Sequence, residues 1–163
     1  MLNFFKKNFY INFFIIISIF FLDRVSKIYV INSYDNNLGN DLFSSKYLNI
    51  ILIWNDGIAF GLFSFEQKTY YHSLTGVIIL ITIIVLWMIT RTEKTEKFAF
   101  SMIFGGSLGN IFDRVYYQSV PDFIDFHINN FHWFIFNVAD IFITVGVICL
   151  ILAELLYKKE VNE

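Results

Sequence analysis

Charge is scarce in this chain. Asp, Glu, Lys and Arg make up 16 % of its 163 residues, against about a quarter of an ordinary soluble domain. Cysteine and proline each occur once. The lone Cys149 excludes an intrachain disulfide and any site built from several thiolates, and its place inside an apolar run reads as a small hydrophobe. Basic clusters alternating with exposed aromatics are missing and the net charge is −2, so nothing points to nucleic acid. What the chain has instead is apolar surface: 56 % hydrophobic residues, 20 % aromatic, with 21 Phe. A soluble domain of this length could not cover that much, which makes the bilayer the natural solvent.

A helix needs about 20 residues to cross the hydrocarbon core. Four stretches qualify wholly or nearly, at about residues 9–31, 70–90, 98–114 and 136–156. The first imitates a signal peptide, with Lys6 and Lys7 ahead of an apolar run. No small-x-small cleavage site follows, because Asp23, Arg24 and Val25 come next, and it reads as a retained span. Seven of the twelve basic residues, Lys6, Lys7, Arg91, Lys94, Lys97, Lys158 and Lys159, fall at the two ends or between spans two and three. That bias predicts cytoplasmic termini, with outer loops at about 32–69 and 115–135. In the first of these loops Tyr47–Trp54 is rich in Ile and Leu and predicts short strands on the membrane surface. The fold expected is an all-α polytopic membrane protein, four transmembrane helices with a small extracytoplasmic β-rich segment, in a single domain without internal repeats.

Asp140 stands out against this background. It is the only formally charged residue from Phe126 to Ala153, one position before the apolar run Ile141–Ala153 and near the start of the fourth span, where a carboxylate is costly. Intramembrane ionisable residues mark functional sites by default. Asp122 and Asp125 stand upstream in a loop-like stretch, so a second carboxylate could meet Asp140 at the same depth, and two such groups are the minimum for acid/base hydrolysis. Asn137 lies one helical turn before Asp140. Two solvated interfacial acids are the bland alternative, but it does not explain a carboxylate set against Ile141-Phe142-Ile143.

Other constellations have structural readings that compete with functional ones. Asn55-Asp56-Gly57 opens a segment in which Asn and two glycines predict a turn with positive φ. Gly105 and Gly109 share a helix face and predict close helix–helix contact. Asn110 and Arg114 follow towards the outer surface, as interfacial anchors or as groups that orient a substrate backbone or lipid headgroup. Asp23 and Lys27, spaced i, i+4, predict a structural ion pair. His72, His127 and His132 match no zinc-protease spacing, so no metal and no cofactor are expected.

Taken in order, four segments resemble the lipoprotein signal peptidase (signal peptidase II) family: Asp23-Arg24-Val25-Ser26-Lys27; Asn55-x-Gly57-x-Ala59-Phe60-Gly61; Gly105-Gly106-x-x-Gly109-Asn110-x-x-Asp113-Arg114; and Asp122-Phe123 followed by Phe136-Asn137-x-Ala139-Asp140. The resemblance covers nearly the whole chain. It implies an aspartic endopeptidase of the bacterial inner membrane, its site towards the outer face, that removes signal peptides from prolipoproteins just before a diacylglyceryl-modified cysteine. It further implies Asp122 and Asp140 as the catalytic pair, with Asn55, Gly57, Asn110, Arg114, Asn137 and Ala139 in support. Asp23, Lys27, Gly105 and Gly109 are expected to be structural. Asp113, beside Arg114, is the rival first acid. Pro121 stands where the family pattern suggests an aliphatic residue, and it leaves the local geometry open. The partners implied are a lipidated prolipoprotein and membrane lipid, and the resemblance also implies inhibition by globomycin-type cyclic peptides; the chain is expected to be a monomer.

Such a pair would share one proton, activate a water with its ionised member and protonate the leaving amine with the other. The rival function is a small proton- or ion-coupled transporter, which needs polar residues through the whole depth of the bundle. Here they gather on one side. A non-catalytic membrane scaffold is a second rival and would not need Asp140.

Overall fold

The computed structural model describes residues 2–57, 68–129 and 131–162. Four helices, α1 (Leu2–Asn36), α2 (Lys68–Arg91), α3 (Lys94–Tyr116) and α4 (Val138–Asn162), are joined by four strands: β1 (Phe43–Ser44), β2 (Leu48–Asn55), β3 (Val120–Ile128) and β4 (Phe131–Phe136). Helix α3 is central and packs against α1, α2 and α4. Its glycines explain how. A Cβ on Gly105 would lie 3.1 Å from the Ile16 carbonyl oxygen of α1, and one on Gly106 would lie 2.6 Å from the Ala139 carbonyl oxygen of α4. A Cβ on Gly109 would collide with the Asp23 carboxylate. The small-residue face expected at Gly105 and Gly109 is therefore a three-helix contact, with Gly106 supplying the side towards α4.

Burial runs opposite to that of a soluble protein. The largest fully buried side chains include Lys27, Asn137, Asp23, Asp113 and Asp125, while Ile81, Ile83, Leu86, Ile148, Ile151 and Leu152 are exposed. Among the described residues, two helices are long and apolar enough to cross a membrane by themselves, over Tyr71–Arg91 and Val138–Leu156, and only 17 % and 11 % of those windows is buried. A soluble core helix of that hydropathy would be mostly covered. In water, this much exposed aliphatic surface would be a large unsolvated patch; in lipid it is the ordinary exterior.

The strands form one antiparallel sheet in the order β1-β2-β3-β4. The strand expected over Tyr47–Trp54 is β2. Residues 120–128, read from sequence as loop-like, are instead a central strand, and this corrects the earlier placement of Asp122 and Asp125. The hydrogen bonds that make it a strand come from distant segments: Asp122 lies opposite Ile53 and Asp125 opposite Asn49, pairings that no local pattern reveals. Pro121 is tolerated because β4 pairs only from Ile124 onward, so β3 has a single neighbouring strand at the proline.

Candidate active site

Asp23, Arg24 and Lys27 on α1 meet Asp113 on α3 in a buried cluster of two acids and two bases. Arg24 is ion-paired with both Asp23, at 2.8 Å, and Asp113. Lys27 Nζ donates to Asp113 Oδ2 at 2.7 Å and to Asn110 Oδ1 at 2.8 Å, and lies 3.0 Å from Asp23 Oδ1. Its three donors thus have three acceptors. Asp23 Oδ1 also accepts the Ala139 N–H at 3.0 Å, placing a carboxylate at the positive N-terminal end of α4. Burying four ions costs several kcal/mol each, and close pairing with added hydrogen bonds is what offsets that cost. The expected Asp23–Lys27 pair is present. Asp113, the rival first acid, is paired with Arg24 and Lys27.

Asp122 and Asp140 line a separate cavity of about 280 Å³, with Asn55, Asn110, Arg114 and Asn137. Three asparagine side chains hold the two carboxylates. Asn55 Nδ2 donates to Asp122 Oδ2 at 2.8 Å, Asn137 Nδ2 to Asp122 Oδ1 at 2.6 Å, and Asn110 Nδ2 to Asp140 Oδ1 at 2.9 Å. In each case the asparagine's own oxygen is already taken: by the Gly57 N–H at 2.9 Å, by the Asp140 N–H at 3.2 Å and by the Lys27 ammonium at 2.8 Å. An amide whose oxygen faces an obligate donor must turn its NH₂ the other way. Backbone and lysine therefore dictate that all three present donors to the carboxylates.

Asp140 has a second role that the sequence spacing contained but the reading missed. Its Oδ2 accepts the Asn137 N–H at 3.1 Å while Asn137 Oδ1 accepts the Asp140 N–H, which is a capping box at the start of α4. Asp140 thus terminates a helix and faces the cavity at once. Burial first, and the neighbouring Asp140 carboxylate second, push the Asp122 pKa up to about 7. Both causes disfavour the ionised form.

The remaining expected site residues fall as follows. Arg114 Nη2 donates to the Gly57 carbonyl, and its guanidinium lies over the Tyr71 ring, 5.6 Å from the centroid. Gly57 is buried, and among the described residues the left-handed φ values fall at Leu38, Gly39, Gln118 and Asn129, not at Gly57. At Gly57 the backbone is not left-handed, and the Asn55 side chain captures the Gly57 N–H; the rest of the expected positive-φ turn, through Gly61, lies outside the described residues. Ala59, Phe60 and Gly61 lie outside the described residues. Ala139 is fully buried against Gly106. Away from the cavity, donor atoms of Asp125, His127 and His132 lie within 4.8 Å of one another. Sequence spacing gave no hint of that cluster.

The family model described as signal peptidase (SPase) II matches residues 15–156. The chain is 48 % identical over 158 residues to the lipoprotein signal peptidase of Pelagibacter ubique (strain HTCC1062), covering 96 % of this chain and 95 % of that protein. It is 34 % identical over 146 residues to the lipoprotein signal peptidase of Anaplasma marginale (strain Florida), covering 89 % and 84 %. Among solved structures it is similar to a bacterial membrane enzyme determined by the in meso method at 2.3 Å resolution, with a TM-score of 0.69 and 29 % identity over 93 % of this chain and 90 % of that one.

Proposed function

The chain belongs to the signal peptidase II family and is a peptidase of lipoprotein processing, and from that premise we propose that Asp122 and Asp140 are the pair that hydrolyses the peptide bond. The observation that carries the proposal is their set of partners. Among the described residues, the two carboxylates share one cavity and receive hydrogen bonds from amide donors only. A carboxylate bonded to a cation is held ionised, whereas a pair bonded to neutral donors can exchange a proton.

The mechanism follows from two close carboxylates that titrate as a unit. With Asp122 near 7, the pair holds a single proton for much of the time at neutral pH. The ionised member takes a proton from a water as its oxygen bonds to the scissile carbonyl carbon. The protonated member donates to the carbonyl oxygen. Collapse of the tetrahedral intermediate breaks the C–N bond, and the amine leaves with a proton from the pair. No covalent intermediate and no metal enter the chemistry. Asn55, Asn110 and Asn137 fix the two carboxylates, and Arg114 holds the Gly57 backbone next to the cavity. Asp23, Lys27, Gly105 and Gly109 seat the helices behind them.

The substrate is a prolipoprotein, and we infer cleavage immediately before its diacylglyceryl-modified cysteine. The enzyme is integral to a membrane. The reading extends to one domain with four spans in the bacterial inner membrane, both termini cytoplasmic and the cavity towards the outer face, acting as a monomer and inhibited by globomycin-type cyclic peptides. The basic-residue bias supports this orientation. A diacylglyceryl chain holds the substrate in the outer leaflet, so local concentration replaces much of the affinity that a soluble protease needs. The test compares one precursor with and without its lipid, using purified enzyme in detergent. Cleavage of the lipidated form alone is expected; equal turnover of the two would mean a general signal peptidase.

A further inference from the structure

The β3–β4 hairpin carries a second constellation that the peptidase chemistry does not use. We propose that Asp125, His127 and His132 form a binding site for one divalent transition-metal ion of the zinc class. Three donor atoms, one from each residue, lie within 4.8 Å of one another. Asp125 is fully buried. His132 Nδ1 lies 2.9 Å from Asp125 Oδ2 and His127 Nδ1 lies 3.9 Å from the same oxygen. In a tetrahedral site with bonds of about 2.0–2.1 Å, neighbouring donors stand about 3.3 Å apart, between these two separations.

An ordinary His–Asp hydrogen bond accounts for His132 but not for His127. The His127 side chain is only 10 % exposed, and its buried Nδ1 has no hydrogen-bond partner. Such an orphan polar atom is costly. It nevertheless faces the carboxylate, with its ring stacked on His132 at 5.1 Å between centroids. An ion placed among the three donors would satisfy it. The backbone supports the same reading. Phe126 pairs with Phe134 but His127 pairs with His132, so the register shifts within β4. That bulge brings His132 rather than Trp133 opposite His127, as bulges do when they re-aim a side chain.

The donor set selects the ion. Two imidazoles and one carboxylate suit zinc, cobalt or nickel and not calcium or magnesium, which require oxygen ligands. Asn49 Nδ2 donates to Asp125 Oδ2 at 3.1 Å, orienting the carboxylate from outside the donor set. The side chain of His132 is 53 % exposed, which gives an ion a way in and leaves room for a water as fourth ligand. Asp125 is three residues beyond Asp122, and that odd offset puts the two on opposite faces of β3. The ion would clamp β4 to the strand that carries Asp122 without entering the hydrolytic cavity. This inference is independent of the proposed dyad.

The test uses the full chain in detergent, purified without a polyhistidine tag and stripped with chelator. It is titrated with Zn²⁺ alone by calorimetry and with Co²⁺ by visible absorption. One ion per chain is expected, with a rise in melting temperature on zinc addition because the ion binds only the folded hairpin. His132→Gln removes a side chain that also hydrogen-bonds Asp125, so each variant's melting temperature is measured without metal first; both it and His127→Gln should weaken binding at least tenfold and reduce the zinc-induced rise in melting temperature. Absence of one-to-one binding, or binding unchanged in both variants, would overturn the proposal.

Discussion

Two pairs of aspartates are given different partners, and the proposed division of labour between them rests on that difference. Asp23 and Asp113 are bonded to Arg24 and Lys27, so their charge is neutralised in place. Asp122 and Asp140 are bonded to asparagine side chains and a backbone N–H. Asp23, Asp113 and Asp122 are buried and Asp140 is half-buried at the cavity, and only the second pair is bonded to neutral donors, the condition that the proposed shared proton needs. Lys27 links them: it neutralises the first pair and, by occupying Asn110 Oδ1, aims the Asn110 NH₂ at Asp140. On the proposed assignment, what bonds an acid matters more to its reactivity than its depth.

The largest effect should come from removing a member of the amide-bonded pair. Asp140→Asn keeps the volume but cannot accept the water's proton, and should lower the single-turnover cleavage rate by about 10³-fold or more. The Asp122→Asn/Asp140→Asn double variant should be little worse, because the pair acts as a unit. Additive losses would mean that the two acids act independently. In the cation-bonded pair the damage should fall on the fold. Lys27→Met leaves two buried carboxylates facing Arg24 alone, and should destabilise the protein by about 3–5 kcal/mol, read from thermal melting in detergent.

The smallest effect is that of pH. The Asp122 pKa lies above the ordinary carboxylate range, at about 7, so the proton that the pair needs is lost as pH rises through that value. Cleavage should fall by about tenfold for each pH unit well above 7. The stability contribution has the same sign. The folded chain keeps a proton that an unfolded one would already have released, so stability from this group is complete in acid and is lost as pH rises through 7. A cleavage rate that is flat from pH 6 to 9 would show that no shared proton is required.

The helices α2 and α4 were legible because bilayer thickness demands long apolar runs, and these two supply them without interruption. Helix α3 was read as about 98–114 but runs Lys94–Tyr116; its glycines weaken the local helix signal and are repaid by close contact with α1 and α4. The strand nature of 120–128 stayed hidden because its partners are far away in sequence and Pro121 argues locally against a strand. Asp122 and Asp140 were visible as carboxylates out of place. The state of Asp113 was not, since its cations sit 86 and 89 residues earlier and its sequence neighbour Arg114 is bonded elsewhere. The Asn137-x-x-Asp140 capping box was legible in principle, from spacing alone. The Asp125, His127 and His132 cluster was not, because it depends on a bulge.

The most direct test of the central contrast sets Asp122→Asn against Asp113→Asn in the same assay, lipidated-precursor cleavage by protein shown to be folded. Asp122→Asn should be folded and nearly inactive. Asp113→Asn should melt at a lower temperature yet cleave at close to the normal rate below that temperature, because it loses a counterion and no proton carrier. A well-folded, inactive Asp113→Asn beside an active Asp122→Asn would contradict the account and move the catalytic pair to Asp113 and Asp140.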